Sequence, residues 1–458
     1  MYIGYVRSVM DYSLPLQTVA SSTTSTQLDR IQNQALRLIC GAMRSTPTAA
    51  CEIEANVEPL DLRRKRVLTE SVERYKRQPV DHPNRQLVEN WQENRRLKQK
   101  SLLDLAKEQE ENHHLPEERE PENKCPDPAP WSLTHLPTIK TSLLAQQANK
   151  SLPPSVLKTF ALETIDSYPQ SAIHAYTDGS AFRATKFAGC GVFLRFPDGS
   201  SERLSDSCGN NTSNYEAEIH AIKQTTEVLH QEFDLNARTP TDLIFFSDSS
   251  SALEALKTPP FNTPLLSQTA LALHNLISAH NITITLQWIP GHCDITGNEI
   301  ADKLAKEGAC KEQKNYPCSM DTVKQILKNQ SKEEWLNRWA GGTTGRAYFV
   351  EKSCPSKKDD IDKLDRKDQS VIFQFRTGHA ATNFHLNCLK PQHEPHCRHC
   401  PWPYETNTHI LLECSGLRSN RECLLPKNLT IHNTLYGPLE QLKNTATFIR
   451  LALADKSE

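Results

Sequence analysis

The chain has 458 residues, of which 37% are hydrophobic and 24% are charged, and its formal net charge is −2. At roughly 150 residues per domain, this length predicts about three domains with at least one sizeable core. The charge excludes a uniformly basic nucleic-acid coat, and no apolar run approaches the ~18 residues that a membrane span requires. The amino terminus lacks the pattern of a secretory signal, so the 14 Cys predict reduced thiols in the cytoplasm or nucleus and exclude a disulfide scaffold.

The first hundred residues are expected to be helical and partly basic. The helical spacing is clearest in Leu28, Ile31, Ala35, Leu38 and Ile39. Residues 61–100 carry 12 Lys/Arg against 6 Asp/Glu, whereas residues 104–127 carry 3 against 9 and begin a series of prolines. An acidic, Pro-rich stretch buries too little apolar area to offset its ordering entropy, so it predicts a linker.

From Ala172 the sequence takes on the pattern of an α/β sheet. Apolar alternation, helical spacing and turn residues together predict strands at 173–177, 189–196 and after the turn 197–200, a helix over 214–233, a strand at 243–246, helices over 252–256 and 265–279, a strand over 282–289 and a helix over 299–307. Three early strands followed by strand–helix alternation predict a mixed sheet covered by helices on both faces.

Four acidic residues occur where such a sheet would bring them together. Asp178 and Asp248 are expected to end strands, which is where ligand sites lie in open α/β sheets. Glu218 falls in the first turns of a helix, and Asp302 lies on the last helix, ten residues after His292. Taken singly, each acid is more simply a turn former, a solvated helix residue or a helix cap. Together they would repel one another unless hard divalent cations such as Mg²⁺ neutralised them, and two such ions can activate a water for phosphoryl displacement.

The order and spacing of these residues resemble those of the ribonuclease H family. The resemblance covers about residues 172–311 and is carried by Tyr-Thr-Asp-Gly-Ser at 176–180, Asn214 to Glu218, Phe-Ser-Asp-Ser at 246–249, Pro-Gly-His at 290–292 and Gly-Asn-Glu-Ile-Ala-Asp at 297–302. The resemblance implies an α/β fold with a mixed five-stranded sheet and helices on both faces. The rest of the chain predicts flanking helical segments and a small Cys/His motif.

The same resemblance implies a metal-dependent endonuclease that hydrolyses the RNA strand of RNA–DNA hybrids and leaves 5′-phosphates. Asp178, Glu218 and Asp248 match the positions that hold two Mg²⁺ ions, with Mn²⁺ as the other ion considered, and Asp302 matches the position that completes the more exposed ion. His292 matches the family histidine, which would shuttle a proton or help the product leave.

Neighbouring polar residues complete the predicted catalytic constellation. Glu216 competes with Glu218 as a ligand but is rotated by ~200° around the helix, and the family pattern places the acid at Glu218. Ser180, Asn214 and Ser249 are the candidates for contacts to the nucleic acid.

The charge of the resembling region departs from what hybrid binding requires. Residues 172–311 carry 10 Lys/Arg against 16 Asp/Glu, and Lys257 is the only cationic residue between Leu256 and Asn281, where some family members have a basic helical handle. Because phosphate contacts need cationic side chains, we expect weak hybrid binding by this region alone and a contribution from the flanks.

A second metal site is predicted near the carboxyl end. Cys397, Cys400, His409 and Cys414 have the ligand types and spacing of a small zinc site. An unrelated Cys/His cluster is the alternative, and the ligand set itself stays open because His396, His399 and Cys388 lie nearby.

The first hundred residues add a second, weaker resemblance. Residues 28–37, 47–50 and 59–64 resemble the end of the reverse transcriptase in non-LTR retrotransposon polyproteins of the arthropod kind, in which a ribonuclease H and a Cys/His motif follow the polymerase. No Tyr-x-Asp-Asp polymerase motif occurs in the chain, so polymerisation is not predicted. The predicted segments are a helical reverse-transcriptase remnant (1–105), an acidic Pro-rich linker (106–165), the ribonuclease H domain (166–311), a helical connector (312–387), the zinc-knuckle-like motif (388–424) and a tail (425–458).

Two other functions remain open from the sequence. The chain could be a catalytically silent transposon fragment that binds nucleic acid through its basic and Cys/His regions. It could also be a nuclease of the same fold that cleaves DNA. In each case the partner is a nucleic acid, and no membrane partner is expected.

Overall fold

The structure, a computed structural model, describes residues 2–92, 100–113, 115–122, 129–144, 152–182, 186–235, 242–261, 263–355 and 359–454. Its residues fall into two compact units. The helical unit comprises Met1–Ser71, Glu93–His113 and Leu327–Glu458, and the sheet unit comprises Val72–Gln92 and His114–Ile326. Residues 123–128 and 145–151 of the predicted linker lie outside the described residues.

The region before the sheet is helical in the described residues. After a π-helical turn at Tyr2–Arg7, its helices are α1 (Ser8–Tyr12), α2 (Leu14–Gln17), α3 (Ser22–Cys40), α4 (Thr48–Ala55), α5 (Leu60–Lys76), α6 (Pro83–Glu89) and α7 (Leu102–His113). The predicted helix is present as α3, but the side of it that is buried differs from the apolar pattern. Leu38 is 76% exposed, whereas Gln32 is buried, and its amide group accepts a hydrogen bond from the Tyr2 hydroxyl and donates one to the Glu58 carbonyl.

The sheet unit contains the predicted strands and helices in the predicted order. Its elements are β1 (Thr138–Lys140), α8 (Pro154–Asp166), β2 (Ile173–Phe182), β3 (Lys186–Arg195), β4 (Ser201–Gly209), α9 (Asn214–Leu235), β5 (Asp242–Ser247), α10 (Ser250–Lys257), α11 (Pro264–His280), β6 (Thr283–Trp288) and α12 (Thr296–Ala309). The strands form one sheet in the order β1-β6-β5-β2-β3-β4. The pairs β1–β6, β6–β5 and β5–β2 are parallel. The pairs β2–β3 and β3–β4 are antiparallel.

The predicted strand count of five is wrong because β1 adds a sixth. This strand lies within the predicted linker and pairs parallel with β6, with Thr138 opposite Thr285 and Lys140 opposite Gln287. An outer strand of a sheet offers a row of unpaired backbone groups, so three residues without apolar alternation can join it through main-chain hydrogen bonds alone. Such a strand leaves no side-chain pattern to find.

Glycines in the strands allow helices to approach both faces of the sheet. A Cβ at Gly191 would collide with the Ala301 carbonyl of α12, and one at Gly189 with the Ala309 amide at the end of the same helix. A Cβ at Gly179 would instead collide with the Glu218 amide of α9. Side chains alternate between faces along a strand, and Asp178 is paired with Gly191. Asp178 therefore points toward the face that α12 covers.

The core of the sheet unit surrounds the central strand β5. Leu243, Ile244, Phe245 and Phe246 are all buried, as the continuous apolar run predicts for a parallel strand covered on both faces. Helices α9 and α11 pack together on one side of this core.

The remaining helices follow the sheet along the chain. They are α13 (Met320–Gly341), α14 (Arg346–Glu351), α15 (Arg366–Thr377), α16 (Asn383–Leu389), α17 (Arg418–Leu424), α18 (Ile431–Leu435) and α19 (Leu439–Leu453), with 3-10 turns at Asp360–Lys363 and Ser415–Leu417 and a π-helical turn at His409–Glu413. In the helical unit the largest buried side chains include Trp339, Tyr348, Phe373 and Phe448. None of the helices described is both long enough and apolar enough to cross a bilayer.

Candidate active site

Asp178 lies within β2 and does not end it as predicted. The parallel pairing of β2 with β5 stops at Thr177, but the strand continues to Phe182 because its other edge pairs antiparallel with β3. At Asp178 the strand is therefore still paired with β3 on one side, but it is no longer paired with β5 on the other. Asp178 is 6% exposed.

Glu218 reaches Asp178 because Gly179 lets α9 approach the strand. The Gly179 amide lies close enough to both the Asp178 and the Glu218 carboxyl groups to lower the pKa of each, against the larger effect of burial. The neighbouring carboxylate of Glu216 instead accepts hydrogen bonds from the Ser213 amide at 2.8 Å and the Thr322 hydroxyl at 2.7 Å, while the Glu216 amide donates to the Ser213 hydroxyl at 3.2 Å. This reciprocal pair is a capping box that begins α9, so Glu216 faces away from Glu218.

Asp248 directly follows β5 and is held by groups from β6 and α12. The Trp288 indole donates a 3.1 Å hydrogen bond to the Asp248 carbonyl. The buried amide side chain of Asn298 lies close enough to the Asp248 carboxyl group to lower the pKa of that group. Gly291 lies against the same carboxylate, since a Cβ there would collide with Oδ2.

Asp178, Glu218 and Asp248 converge, with one carboxylate oxygen of each within 4.8 Å of the others. Burial, together with the charges of Asp248 and Asp302, raises the pKa of Asp178 to about 8. Burial and repulsion from the charges of Asp178 and Asp248 raise the pKa of Glu218 well above its usual range. Burial also raises the pKa of Asp248, although the Asn298 hydrogen bond and His292 act in the opposite direction.

This carboxylate trio fits a hard divalent cation. Glu218 Oε2 is buried and accepts no hydrogen bond from the described residues. Uncompensated buried carboxylates are costly, and oxygen donors at this spacing are the ligands that Mg²⁺ and Mn²⁺ take. The trio could hold such ions, with Asp302 as an additional donor.

Asp302 and His292 lie at the edge of the trio. Asp302 is close enough to Asp178 and Asp248 to raise the pKa of each, and its Oδ2 accepts a 2.5 Å ion-pair hydrogen bond from Lys306. The loop after β6 holds His292 at a φ of 52°, exposed to solvent and near enough to Asp248 to lower the pKa of that carboxyl.

The three predicted nucleic-acid contacts differ in their environment. Ser249 caps α10, since its hydroxyl accepts a 3.4 Å hydrogen bond from the Ala252 amide. Asn214 is exposed at the start of α9, and Ser180 is half-buried on β2, two residues from Asp178. Ser249 thus makes a helix-capping hydrogen bond, whereas Asn214 lies four residues before Glu218 on α9.

Sequence reasoning assigned no role to Asn298, Gly291 or Lys306. Gly291 packs closely against Asp248, Lys306 forms an ion pair with Asp302, and Asn298 lies close enough to Asp248 to lower its pKa. A signal existed for two of them, because Asn298, Asp302 and Lys306 are spaced four residues apart and so share one face of α12. Gly291 had no comparable signal, because only the tertiary structure shows what its missing Cβ would meet.

A second cluster lies in the helical unit and consists of Cys397, Cys400, His409 and Cys414. One ligand atom of each lies within 4.8 Å of the others. Two sulfurs at ~2.3 Å from a tetrahedral Zn²⁺ would be about 3.8 Å apart, and the Cys397 and Cys414 sulfurs are separated by 3.7 Å. The Cys400 sulfur is 3.3 Å from His409 Nε2. The donor set and its spacing fit Zn²⁺.

The competing ligands lie outside this cluster. His399 Nε2 is 2.7 Å from the Ala452 carbonyl, with which it hydrogen-bonds. His396 is exposed, and its Nδ1 atom is 3.8 Å from Glu394 Oε2. Cys388 is exposed on α16.

Comparison with known proteins places this geometry in context. The RNase H family model matches residues 170–310. Ribonuclease H of Actinobacillus succinogenes is 28% identical over 149 residues, which cover 30% of this chain and 89% of that protein. Ribonuclease H of Mannheimia succiniciproducens is also 28% identical over 149 residues, covering 30% and 87%. The crystal structure of RNase H1 from Halobacterium salinarum covers 30% of this chain and 96% of its own, with 23% identity and a TM-score of 0.25.

The family match and the mixed sheet define residues 170–310 as an RNase H domain within a longer chain. The RNase H-like fold class predicted from the sequence is confirmed, with six strands in place of five. The domain includes Asp178, Glu218, Asp248, His292 and Asp302.

Proposed function

We propose that the chain is a divalent-metal-dependent endonuclease that hydrolyses the RNA strand of RNA–DNA hybrids. The observation that carries the proposal is the convergence of Asp178, Glu218 and Asp248 within 4.8 Å inside the region that the RNase H family model matches. The substrate class rests on the likeness to relatives named ribonuclease H. The trio, with Asp302, would hold Mg²⁺, for which Mn²⁺ is the alternative.

Bound divalent ions and the side chains around them would have different roles in hydrolysis. Divalent ions, when bound, supply a nucleophilic water and stabilise the leaving oxygen. The water oxygen joins phosphorus and the bond from phosphorus to O3′ breaks, leaving a 5′-phosphate and a 3′-hydroxyl. Gly179 and Asn298 lie beside the carboxylates as donors and favour their charged forms. The exposed His292 exchanges a proton between the site and solvent.

Binding of the hybrid requires contacts from segments outside the acidic domain. Residues 172–311 carry 10 Lys/Arg against 16 Asp/Glu, so phosphate contacts within the domain are few. We assign Asn214 and Ser180 to contacts with the hybrid, because Asn214 lies four residues before Glu218 on α9 and Ser180 two residues after Asp178 on β2. The remaining affinity is assigned to the flanking segments.

The experiment uses the purified full chain, Mg²⁺ and an end-labelled RNA–DNA hybrid, with DNA and RNA duplexes as other substrates. Asp248→Asn should abolish at least ~99% of hybrid cleavage, because it removes one charge of the trio. Glu254→Gln removes the same charge from an exposed position on α10 and should cleave like the parent chain.

Three outcomes would overturn the proposal. Equal cleavage by Asp248→Asn and the parent would exclude the trio as the active site. Equal cleavage of a DNA duplex would favour the DNA nuclease. Binding of the hybrid without products would favour the silent fragment.

Two further assignments belong to this proposal. The Cys/His cluster is assigned to structural Zn²⁺, on the ligand spacing given above. The chain is assigned to the C-terminal part of a non-LTR retrotransposon polyprotein, supported by the motifs at residues 28–37, 47–50 and 59–64. Sequencing the transcript upstream of Met1 tests that origin, since a polymerase reading frame should be continuous with this one.

A further inference from the structure

Two histidines and an aspartate meet where α9 and α11 end. His230 Nδ1 is 3.0 Å from His280 Nε2, and His280 Nε2 is 3.5 Å from Asp234 Oδ1. One ligand atom of each of the three residues lies within 4.8 Å of the others. The group is separate from the carboxylate trio and plays no part in the proposed hydrolysis.

The local sequence explains why these side chains face one another. His230 and Asp234 are four residues apart on α9, so they share one face of the helix. His280 is the last residue of α11, which packs against α9. The edge of its ring contacts Phe233 at a centroid distance of 5.4 Å, and its side chain is only 10% exposed. The imidazole is therefore held in place before any ligand binds.

We propose that His230, Asp234 and His280 form a binding site for a divalent transition metal of the Zn²⁺ class. Imidazole nitrogens and a carboxylate oxygen at ~2.0–2.1 Å from a tetrahedral ion are about 3.3–3.4 Å apart. The observed separations of 3.0 and 3.5 Å bracket that value. Asp234 is 60% exposed, so the site opens to solvent, from which a water can complete the coordination.

The position of the site in the fold favours a cation. The carbonyl ends of helices carry a partial negative charge, and Asp234 and His280 lie in the last turns of α9 and α11. An aspartate in the last turn of a helix is unfavourable, and a bound cation reverses that effect. The metal would link the two helix ends and so stabilise the packing of α9 on α11.

A hydrogen bond between the imidazoles is the competing explanation of the same contact. In that arrangement one facing nitrogen donates and the other accepts, and Asp234 pairs with whichever ring is protonated. Such a group would hold its geometry without binding metal, so metal binding separates the two explanations.

The test titrates the full chain with Co²⁺ and follows its absorption. Thiolate ligands at the Cys/His cluster give a near-ultraviolet charge-transfer band, whereas a site of two histidines and an aspartate adds visible absorption without that band. The titration contains excess Mg²⁺, which competes for the all-oxygen carboxylate trio, so the parent chain should show one equivalent of Co²⁺ that adds no charge transfer and resists Mg²⁺. His230→Gln and His280→Gln should weaken this equivalent at least ~10-fold. His274→Gln, which removes a different histidine from α11, should retain it.

Asp234→Asn is included in case the histidine variants fail to fold. It alters an exposed carboxylate, and we expect this variant to fold like the parent chain. It should also weaken the equivalent while leaving the circular dichroism spectrum of the metal-free chain unchanged. Identical Co²⁺ binding by the parent, His280→Gln and Asp234→Asn would overturn the proposal, as would a parent chain that binds cobalt only with charge transfer. Because no nuclease assay is involved, this outcome is independent of the proposed hydrolysis.

Discussion

Gly291 lies so close to Asp248 that a Cβ at position 291 would overlap the carboxylate oxygen Oδ2. The two residues follow neighbouring parallel strands, β6 and β5. The backbone of one loop therefore serves as a wall for a side chain from the other. The position of the Asp248 carboxylate depends on the absence of a single methyl group.

Gly291→Ala should displace Asp248 and lower hybrid cleavage by roughly 100-fold, since a misplacement of about 1 Å has effects of that size. Steady-state cleavage of a labelled hybrid measures the change. Gly341→Ala is the control, because nothing lies within 4 Å of a Cβ at that position. Full activity in Gly291→Ala would show that Asp248 can move without loss.

Asn298→Ala should affect both activity and stability. The buried amide lies close enough to Asp248 to lower the pKa of that carboxyl group, and its loss removes this neighbouring donor. We expect the free energy of unfolding to fall by about 1–3 kcal/mol and cleavage to fall with it. Urea unfolding and the cleavage assay measure the two effects. Lys303→Ala, on the same helix with a side chain that is 80% exposed, should change neither. Unaltered cleavage in Asn298→Ala would remove its positioning role.

Asp359→Asn should make the helical unit less stable in a pH-dependent way. Arg376 donates to both Asp359 oxygens, at 2.6 and 3.2 Å. Burial alone would raise the pKa of Asp359, but the Arg376 hydrogen bonds and charge outweigh it and lower that pKa to about 2. The stabilisation is thus complete above the ordinary pKa of 3.8 and is lost as pH falls through about 2.

At pH 7 the Asp359→Asn variant should lose about 2 kcal/mol of unfolding free energy, because the pKa shift is nearly two units. The difference from the parent chain should shrink below about pH 4. Urea unfolding followed by tryptophan fluorescence at several pH values measures it. Glu440→Gln removes an exposed carboxylate from the same unit and should match the parent. A difference that is independent of pH would contradict the linkage.

Removal of Cys397 and Cys400 together should lower the zinc content by about one equivalent. Both sulfurs belong to the four-residue cluster, and structural zinc requires all of its ligands. Metal analysis of Cys397→Ser combined with Cys400→Ser, purified without chelators, provides the measurement. Cys388→Ser combined with Cys423→Ser removes two exposed thiols outside the cluster and should keep the metal. Unchanged zinc in the first double variant would exclude the site.

The sequence by itself determined the mixed sheet from β2 to β6 and the positions of helices α9 to α12. Strands β2 and β5 carry alternating or continuous apolar patterns, and such local patterns can be read without knowing any contact. It also singled out Asp178, Glu218 and Asp248, because their order along the chain matches a family pattern. The four zinc-ligand candidates were found in the same way, from residue type and spacing.

Only the tertiary structure decided what these patterns could not carry. The pairing of β1 uses main-chain groups, which every residue has, so no side-chain signal predicted it. The burial of Gln32 on α3 is accompanied by its hydrogen bonds with Tyr2 and Glu58, which the apolar pattern did not show. The contact of Gly291 with Asp248 and that of His230 with His280 join residues distant in the chain. Local propensity identifies elements, but the packing of one element on another fixes which atoms meet.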